Sequence, residues 1–523
     1  MNQDIYDVAI SGYGPTGMAA ASLLARRGHR VIVFERHGSL YGAPRVATID
    51  GESARIIQAA GDHKEALRNS SPRLRYLLAN GEGQVLVDFD WSGTHVCGHP
   101  YRISLHQPDV EDALDAAARA AGAVIQQGWA VAGLGQEGDH VSVSAQNNTG
   151  QTQTIKARYM IGADGARSTT RELLGIERES WPFRGAWLTF DCTRRRALPN
   201  FLGVSPDGRI AATFCAPQGR AHSIIPLGRD VIRVTFQIDP DADRTAVMTR
   251  ESAYRYLENV HGLTQDDVDV FRPAMHVFEG KLAKNWRAGR IFIGGDAAHA
   301  MTPFMGQGGC SSLRDAVNLS WKLDLVLRGI AKDALLDTYE SERKPHARFY
   351  VDGSDKLGAL AFIDDPDEAA QRDRRYIGQT AVPSPPEPKI ESGIIHLDAK
   401  GKPVAPAGEV GPQGRVRWKG SEGLFDDLFG WGFQILWRGA SPETILGEAQ
   451  LAKLKSLNCA MAGFSPDVSN TCVQDVDGVY ARFFEAHQVN GLIVRPDFVV
   501  HSGARSTADL RARIDELIAQ LVA

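Results

Sequence analysis

The sequence predicts an α/β fold whose parallel sheet is interrupted by an antiparallel layer, followed by a separate small C-terminal domain. Three observations predict it. Gly12-Tyr13-Gly14-Pro15-Thr16-Gly17 joins an apolar strand to an Ala/Leu-rich helix. Segments between residues 181 and 279 alternate with period two, as half-buried strands do. Near residue 382 the composition shifts to Val382-Pro383-Ser384-Pro385-Pro386-Glu387-Pro388, which reads as an extended linker.

Bulk properties set the frame. At 523 residues the chain is too long for one ordinary domain, so two or three are expected. The 43% hydrophobic and 23% charged content is that of an ordinary globular protein, and a net charge of -5 argues against nucleic acid as a partner. No apolar run is long enough to span a bilayer. The N-terminus runs directly into a strand, Ile5 to Ile10, without a basic n-region or cleavable h-region. Cys97, Cys192, Cys215, Cys310, Cys459 and Cys472 are scattered, with no C-x-x-C pair. They read as reduced core residues of a cytoplasmic protein, with neither a disulfide framework nor a metal site.

The first glycine string has the context that binding a dinucleotide requires. Asp7 to Ile10 reads as a buried strand and Met18 to Arg27 as a helix, with Pro15 at the first helical position, where its missing N–H is no loss. Gly12 permits the tight turn, Gly14 lets the backbone approach a pyrophosphate, and Gly17 lets helix and strand pack closely. The open N–H groups of the helix start, around Thr16, bind the diphosphate. Val31 to Phe34 forms the next strand, and Glu35 at its end can accept from a ribose hydroxyl, with Arg36 beside it. A second string, Gly133-Leu134-Gly135-Gln136-Glu137-Gly138, also fits the pattern. It precedes the alternating run Val141 to Ser144 and is expected to be a hairpin loop. No second dinucleotide fold is therefore expected.

Three more segments extend the pattern. Asp164-Gly165-Ala166-Arg167-Ser168 follows the strand Tyr159 to Gly162, and Gly295-Asp296-Ala297-Ala298-His299 follows Arg290 to Ile293. The latter continues into Pro303-Phe304-Met305-Gly306-Gln307-Gly308 and the helical Arg314 to Leu323. Together these resemble the single-component flavin-dependent aromatic hydroxylases, class A flavoprotein monooxygenases, and within them the 3-(3-hydroxyphenyl)propionate and phenol hydroxylase branch. The match covers roughly the first two-thirds of the chain, and ordered motifs are far more specific than any one alone.

The resemblance implies a para-hydroxybenzoate hydroxylase-like architecture. Residues 1–180 would begin the Rossmann-like FAD-binding domain, with 70–97 contributing to the substrate layer. Residues 181–279 would be the substrate-binding sheet, inserted between the Asp-Gly and Gly-Asp motifs. Residues 280–375 would complete the FAD domain, 376–394 would be the Pro-rich linker, and 395–523 a thioredoxin-like domain without C-x-x-C. That last module reads as structural or dimerising, which keeps a homodimer open.

The resemblance also implies non-covalent FAD, NADH or NADPH as co-substrate, O2, and a small phenolic substrate hydroxylated through a flavin C4a-hydroperoxide. Asp296 would bond the ribityl chain, and Gly306, Gln307, Gly308 and Gly309 would lie against the isoalloxazine. A helix starting near Ser311 would aim its dipole at the ring. Arg45 and Gln107 match flavin contacts, and Asp164 belongs to the cofactor set. The chain departs from the family's two prolines at Thr302-Pro303, and Cys310-Ser311-Ser312 replaces the usual residues, which leaves the pocket shape near the ring open.

Candidate catalytic residues are Arg45, Pro303 and His222. His222, on a predicted inner strand, could relay a phenol proton, and His276 and Phe278 are placed where the family builds an aromatic pocket wall. His299 is expected to pack beneath the flavin. Two alternatives stay open. One is another FAD-dependent oxidoreductase, a reductase or a halogenase, although the chain has no Trp-x-Trp-x-Ile. The other is a catalytically silent flavin-binding scaffold.

Overall fold

The structure is a computed structural model that describes residues 5–42, 45–196, 198, 209–217, 221–228, 230–239, 241–378, 387–465 and 472–523. Most of the expected linker, Val382 to Pro386, lies outside the described residues, as do Ala43 and Pro44 of the stretch before Arg45.

The central sheet holds five parallel strands in the order Ile291–Ile293, Thr152–Gly162, Ile5–Ser11, Val31–Glu35 and Val124–Gln127. The apolar runs Val8–Ile10, Val31–Phe34, Met160–Ile161 and Ile291–Ile293 are buried on both faces, as a parallel sheet covered by helices requires, while Val124 on the edge strand is exposed. The helix Pro15–Arg26 is buried almost all round, because it is packed between the sheet and two further helices, Gln107–Ala120 and Gly308–Leu327. Of the Gly133–Gly138 string, Gly133 to Glu137 lie within the strand Trp129–Glu137, and only Gly138 belongs to the turn before His140–Asn147. The segment is a hairpin, as expected, but the string is mostly strand and not loop. Cross-strand pairing with His140–Asn147 occupies its backbone.

A second sheet of eight strands forms the roof. Its order is His299–Ala300, Val268–Ala283, Arg178–Arg194, Val231–Ile238, His222–Pro226, Ile210–Cys215, Arg75–Asn80 and Val85–Asp90. The last two come from the 70–97 segment. The sheet is not wholly antiparallel, because Ile210–Cys215 runs parallel to Arg75–Asn80. The two long central strands, Arg178–Arg194 and Val268–Ala283, shift register twice, and one shift falls between Thr189 and Asp191. At that bulge Arg272 takes a left-handed backbone, φ 54°.

The C-terminal segment has a four-stranded sheet in the order Ala460–Phe464, Gln434–Arg438, Gly491–Val494 and Val500–Ala504. The first pair is parallel and the others antiparallel. The final helix, Thr507–Val522, is capped by Ser506 Oγ, which accepts from Asp509 N. It buries Leu510, Ile514, Leu517 and Leu521, with Ile518 only partly covered. These side chains share one core with the helices of the N-terminal part, where Phe433 meets Trp321 edge-on. Two buried ion pairs cross the same junction, Arg55–Asp426 and Arg495–Glu342.

Candidate active site

One cleft of about 2040 Å³ runs from the Gly12–Gly14 turn to the roof sheet. Sites for drug-sized ligands are typically about 300–1,000 Å³, so the cleft has room for a dinucleotide cofactor and a second molecule.

At one end the glycine turn is set by close packing. A Cβ on Gly12 would lie 2.4 Å from Ala163 O, and its φ of +94° disfavours any side chain. A Cβ on Gly17 would lie 2.1 Å from Gly12 O. Gly14 has open space beside it and lines the cleft with Pro15 and Thr16. Glu35 accepts from Tyr13 N at 2.8 Å and His37 N at 2.9 Å, so the carboxylate is held beside the turn with lone pairs to spare. Arg36 also lines this end. Asp164 lines the cleft, but its carboxylate is engaged by Ser168 Oγ, by Thr170 N and Oγ1 (both 2.9 Å) and by Ser11 Oγ (3.4 Å). Its side chain shapes the turn that Gly12 touches.

In the middle, Asp296, Pro303, Gly306, Gly308 and Gly309 line the cleft. Asp296 is open to the cleft yet ringed by protein. That desolvation raises its carboxyl above the usual range, against His299 and Arg45, which favour the charged form. The helix below starts at Gly308, three residues before the expected Ser311, so the glycines themselves form its first turn and direct N–H groups towards the cleft. Gly306 has φ +63°, and a Cβ on Gly309 would collide with Val46 at 2.8 Å. Gln307 is a correction. Its side chain is buried and absent from the cleft wall, donating to Asp50 (3.2 Å) and accepting from Arg314 (2.9 Å). Arg314 pairs in turn with Asp50 at 2.6 Å and with Glu52, a buried network that fixes the loop from beneath. Arg314 and the Ser53 hydroxyl and amide hold the Asp50 carboxyl far below its ordinary range despite burial.

His299 is also off the cleft wall. It bonds Asp315 at 2.6 Å, and Asp315 accepts from Gly295 N (2.9 Å) and Arg343 (3.0 Å), so the pair braces the Gly-Asp turn.

Arg45 lines the cleft, its guanidinium 3.9 Å over the Tyr41 ring. Gln107 does not present a free amide. Its Oε1 accepts from Arg45 N and Val46 N, both 2.7 Å, and its Nε2 donates to Glu111 at 2.6 Å. It therefore clamps the arginine's backbone.

The roof supplies Trp187, Thr189, Asp191, Ser223, Ile225, Arg233, Met275, His276 and Phe278. His276 stacks on Phe278 at 5.9 Å, and its pKa is lowered by burial and then by Arg233, Arg45 and Arg244. His222 is the second correction. Strand alternation turns Ser223 and Ile225 to the cleft, while His222 faces away, stacked between Phe214 (4.5 Å) and Phe236 (5.2 Å) and beside His261. It is therefore part of the core behind the sheet. Sequence reasoning gave no role to Asp191, although a lone carboxylate in the apolar run Ala186–Cys192 was the available signal. It accepts the fork of Arg233 (2.9 and 3.1 Å) and a further bond from Arg272.

The residues present fit a flavin dinucleotide. The turn packs too closely for a Cβ at Gly12 and Gly17 and leaves open space at Gly14, where a diphosphate would approach, two helix N-termini open onto the cleft, and the middle stretch offers glycine backbone suited to a flat ring.

Known proteins agree. A family model described as an FAD binding domain matches residues 5–354, and one described as the HcaD C-terminal domain matches 408–520. The chain is 34% identical to a probable NADH-specific resorcinol 4-hydroxylase of Rhodococcus jostii (strain RHA1), over 98% of this chain and 94% of the relative. It is 30% identical to a 3-(3-hydroxy-phenyl)propionate/3-hydroxycinnamic acid hydroxylase of Mycolicibacterium smegmatis (strain ATCC 700084 / mc(2)155), over 98% and 92%. Among solved structures, the flavin-dependent monooxygenase PieE in complex with FAD and substrate aligns at TM-score 0.79 with 21% identity, covering 100% of both chains. Aklavinone-11 hydroxylase with FAD and aklavinone aligns at 0.78 with 23% identity, covering 99% of this chain and 100% of the other. The chain belongs to the FAD-binding-domain family and, within it, to the class A flavin-dependent aromatic hydroxylases.

Proposed function

We propose that this enzyme hydroxylates a small phenol at a ring position beside or opposite an existing hydroxyl, drawing electrons from NADH. The observation that carries the reading is the continuous cleft, which joins the Gly12–Gly17 turn, the Gly295–Asp296 turn and the aromatic part of the roof sheet. The names of the two relatives support a phenolic substrate, and that of the resorcinol hydroxylase supports NADH.

Bound FAD supplies the redox chemistry, taking two electrons from the nicotinamide and activating O2, so that one oxygen atom enters the ring and the other leaves as water. The protein's residues bind, orient and exclude water. Gly12, Gly14, Pro15, Thr16 and Gly17 would hold the diphosphate, Glu35 and Arg36 the ribose end, and Asp296 the sugar chain. Gly306, Gly308 and Gly309 would carry the flat ring, with the helix dipole favouring its electron-rich form. Arg45, clamped by Gln107, would accompany that ring, and Asp164 acts through the turn it shapes. Trp187, Phe278 and Phe304 would exclude water from the reacting edge, where Pro303 fixes the wall.

The division at 1–180, 181–279, 280–375 and 395–523 is supported by the separation of the three larger sheets. A thioredoxin-like C-terminal domain is supported by its strand order, second-first-third-fourth, with only the first two strands parallel. With no C-x-x-C, its role is structural.

The test is aerobic NADH oxidation by FAD-loaded enzyme against a panel of phenols, with product mass and labelled O2. Stoichiometric incorporation of one labelled oxygen supports the reading. Oxidation without any oxygenated product for every phenol would leave only a reductase.

A further inference from the structure

Two groups of aromatic rings meet the cleft along the roof sheet. In the inner one, Trp187 lies 6.4 Å from Phe278 and 5.9 Å from Phe304, ring to ring. The outer one lies at the far end of the sheet, on its last two strands, Arg75–Asn80 and Val85–Asp90, and just past them. There Tyr76, Phe89 and Trp91 form a triangle, with centroids 5.6, 6.2 and 6.4 Å apart and planes within 37° of one another. All three line the cleft, and each keeps part of its surface exposed.

A row of hydroxyls joins the two groups. Thr189 stands opposite Thr235, Thr235 opposite Ser223, and Ser223 opposite Thr213, in register across four neighbouring strands. Hydrogen bonds link Thr189 to Thr235 (3.3 Å), Ser223 to Thr213 (2.7 Å) and Thr213 to the Tyr76 hydroxyl (2.6 Å). Thr189, Thr235 and Ser223 line the cleft, while Thr213 is buried. Thr189 is two residues from Trp187 and so shares its face of the strand. The row therefore starts at the inner rings and ends at the outer ones, four strand steps or about 19 Å along the sheet at ~4.8 Å each.

The cations beside the outer rings are already matched. Arg102, 5.2 Å from the Trp91 ring, pairs with Asp50 at 3.5 Å, and His95 bonds Glu387 at 3.1 Å. Arg73 is buried and donates to the Ser104 hydroxyl and to the carbonyls of Ala47 and Pro226. This end of the cleft thus suits a neutral ring better than the phosphates of a dinucleotide. We propose that Tyr76, Phe89 and Trp91 form a second phenol-binding station, where an incoming substrate ring docks before it moves along the hydroxyl row to the flavin. The ring lies against the aromatic triangle. Its hydroxyl then changes partners along Ser223, Thr235 and Thr189, each of which both donates and accepts, so that no step leaves it unpaired. The inference rests on the aromatic hydroxylase reading and adds an entry site to it.

In the experiment, labelled resorcinol is dialysed to equilibrium against oxidised, FAD-loaded enzyme without NADH. Where resorcinol is not a substrate, the phenol that the panel finds oxygenated fastest takes its place. The wild type should bind two molecules per FAD, only one of which shifts the flavin absorbance. Trp91→Leu should bind one, the one that shifts the flavin. Rapid mixing should show its association slowed by about tenfold, the upper range for one aromatic contact. The loss should appear in kcat/KM and not in kcat. Phe89→Leu, a milder change on the same face, should fall between, and it decides the matter if Trp91→Leu does not fold. One molecule per FAD in the wild type, or two in both variants, overturns the inference. A raised dissociation constant for NADH with the phenol stoichiometry unchanged assigns the rings to the adenine and also overturns it. So does a loss in kcat with association unchanged, which places the product there. A protein that oxygenates no phenol of the panel refutes the hydroxylase reading instead.

Discussion

Replacing Glu342 by glutamine should destabilise the junction with the C-terminal domain more than any surface change. Glu342 is fully buried and accepts from Asn318 (2.8 Å), Lys322 (2.8 Å), Ile394 N (2.9 Å) and both ends of the Arg495 fork (3.0 and 2.6 Å). Arg495 also grips Asp497. Two cations, Lys322 and Arg495, and two anions, Glu342 and Asp497, thus balance in a buried volume. Glu342→Gln keeps the shape and removes one anion, leaving a buried positive charge, a loss of about 3–5 kcal/mol. Against a typical total of about 5–15 kcal/mol this is a large fraction. Burial alone would raise the carboxyl, but Arg495 and Lys322 outweigh it and lower it from 4.5 to about 2. Its contribution is therefore complete above about pH 4.5 and is lost as pH falls through about 2. By pH 3 the gap between wild type and variant should have narrowed by about 2 kcal/mol. Urea unfolding followed by tryptophan emission suits the site, since Trp321 lies 5.5 Å from Lys322 and 5.3 Å from Arg495. Adding Lys322→Met to Glu342→Gln should restore part of the loss by rebalancing charge. A cost below about 1 kcal/mol, or a gap equal at pH 7 and pH 3, would refute the charge-balance reasoning.

Three further outcomes are expected. Gly12→Ala should abolish tight FAD binding, because the new Cβ meets backbone at 2.4 Å in a left-handed position; titration with FAD that gives a wild-type dissociation constant would contradict this. Arg45→Ala should slow flavin reduction by NADH on the order of tenfold, with Arg45→Lys recovering only part, since a point charge does not replace the fork; rapid mixing that shows unchanged reduction and weakened phenol binding would make Arg45 a substrate anchor. His222→Phe should retain turnover and its pH profile, because the ring sits behind the sheet between Phe214 and Phe236, whereas a proton relay would lose about 10²-fold or more.

Periodicity carried most of the architecture. The apolar runs around Ile10 and Val33, the glycine turn after the first of them and the alternating segments Ala212 to Ala216, His222 to Leu227 and Val231 to Ile238 each identify an element from local chemistry alone, and the structure has strands or a turn at each of them. Helix starts were less legible. Glycines at Gly308 and Gly309 read as loop, because a helix ordinarily disfavours them. They are helical here because Val46 presses against Gly309, where a larger side chain would not fit.

The site divides along the same line. Motif residues whose work is done by backbone, such as Gly12, Gly14 and Gly306, stand where their spacing implied. Side chains whose work depends on a distant partner did not announce it. Gln307 turns inward because Asp50 and Arg314 wait beneath the loop, more than 250 residues away in one case. Period two fixes that His222 and Ser223 point to opposite faces, but which face meets the cleft is decided by the packing of neighbouring strands. Arg272 is the extreme case, since a bulge breaks the period itself and brings an arginine to a buried carboxylate 81 residues upstream.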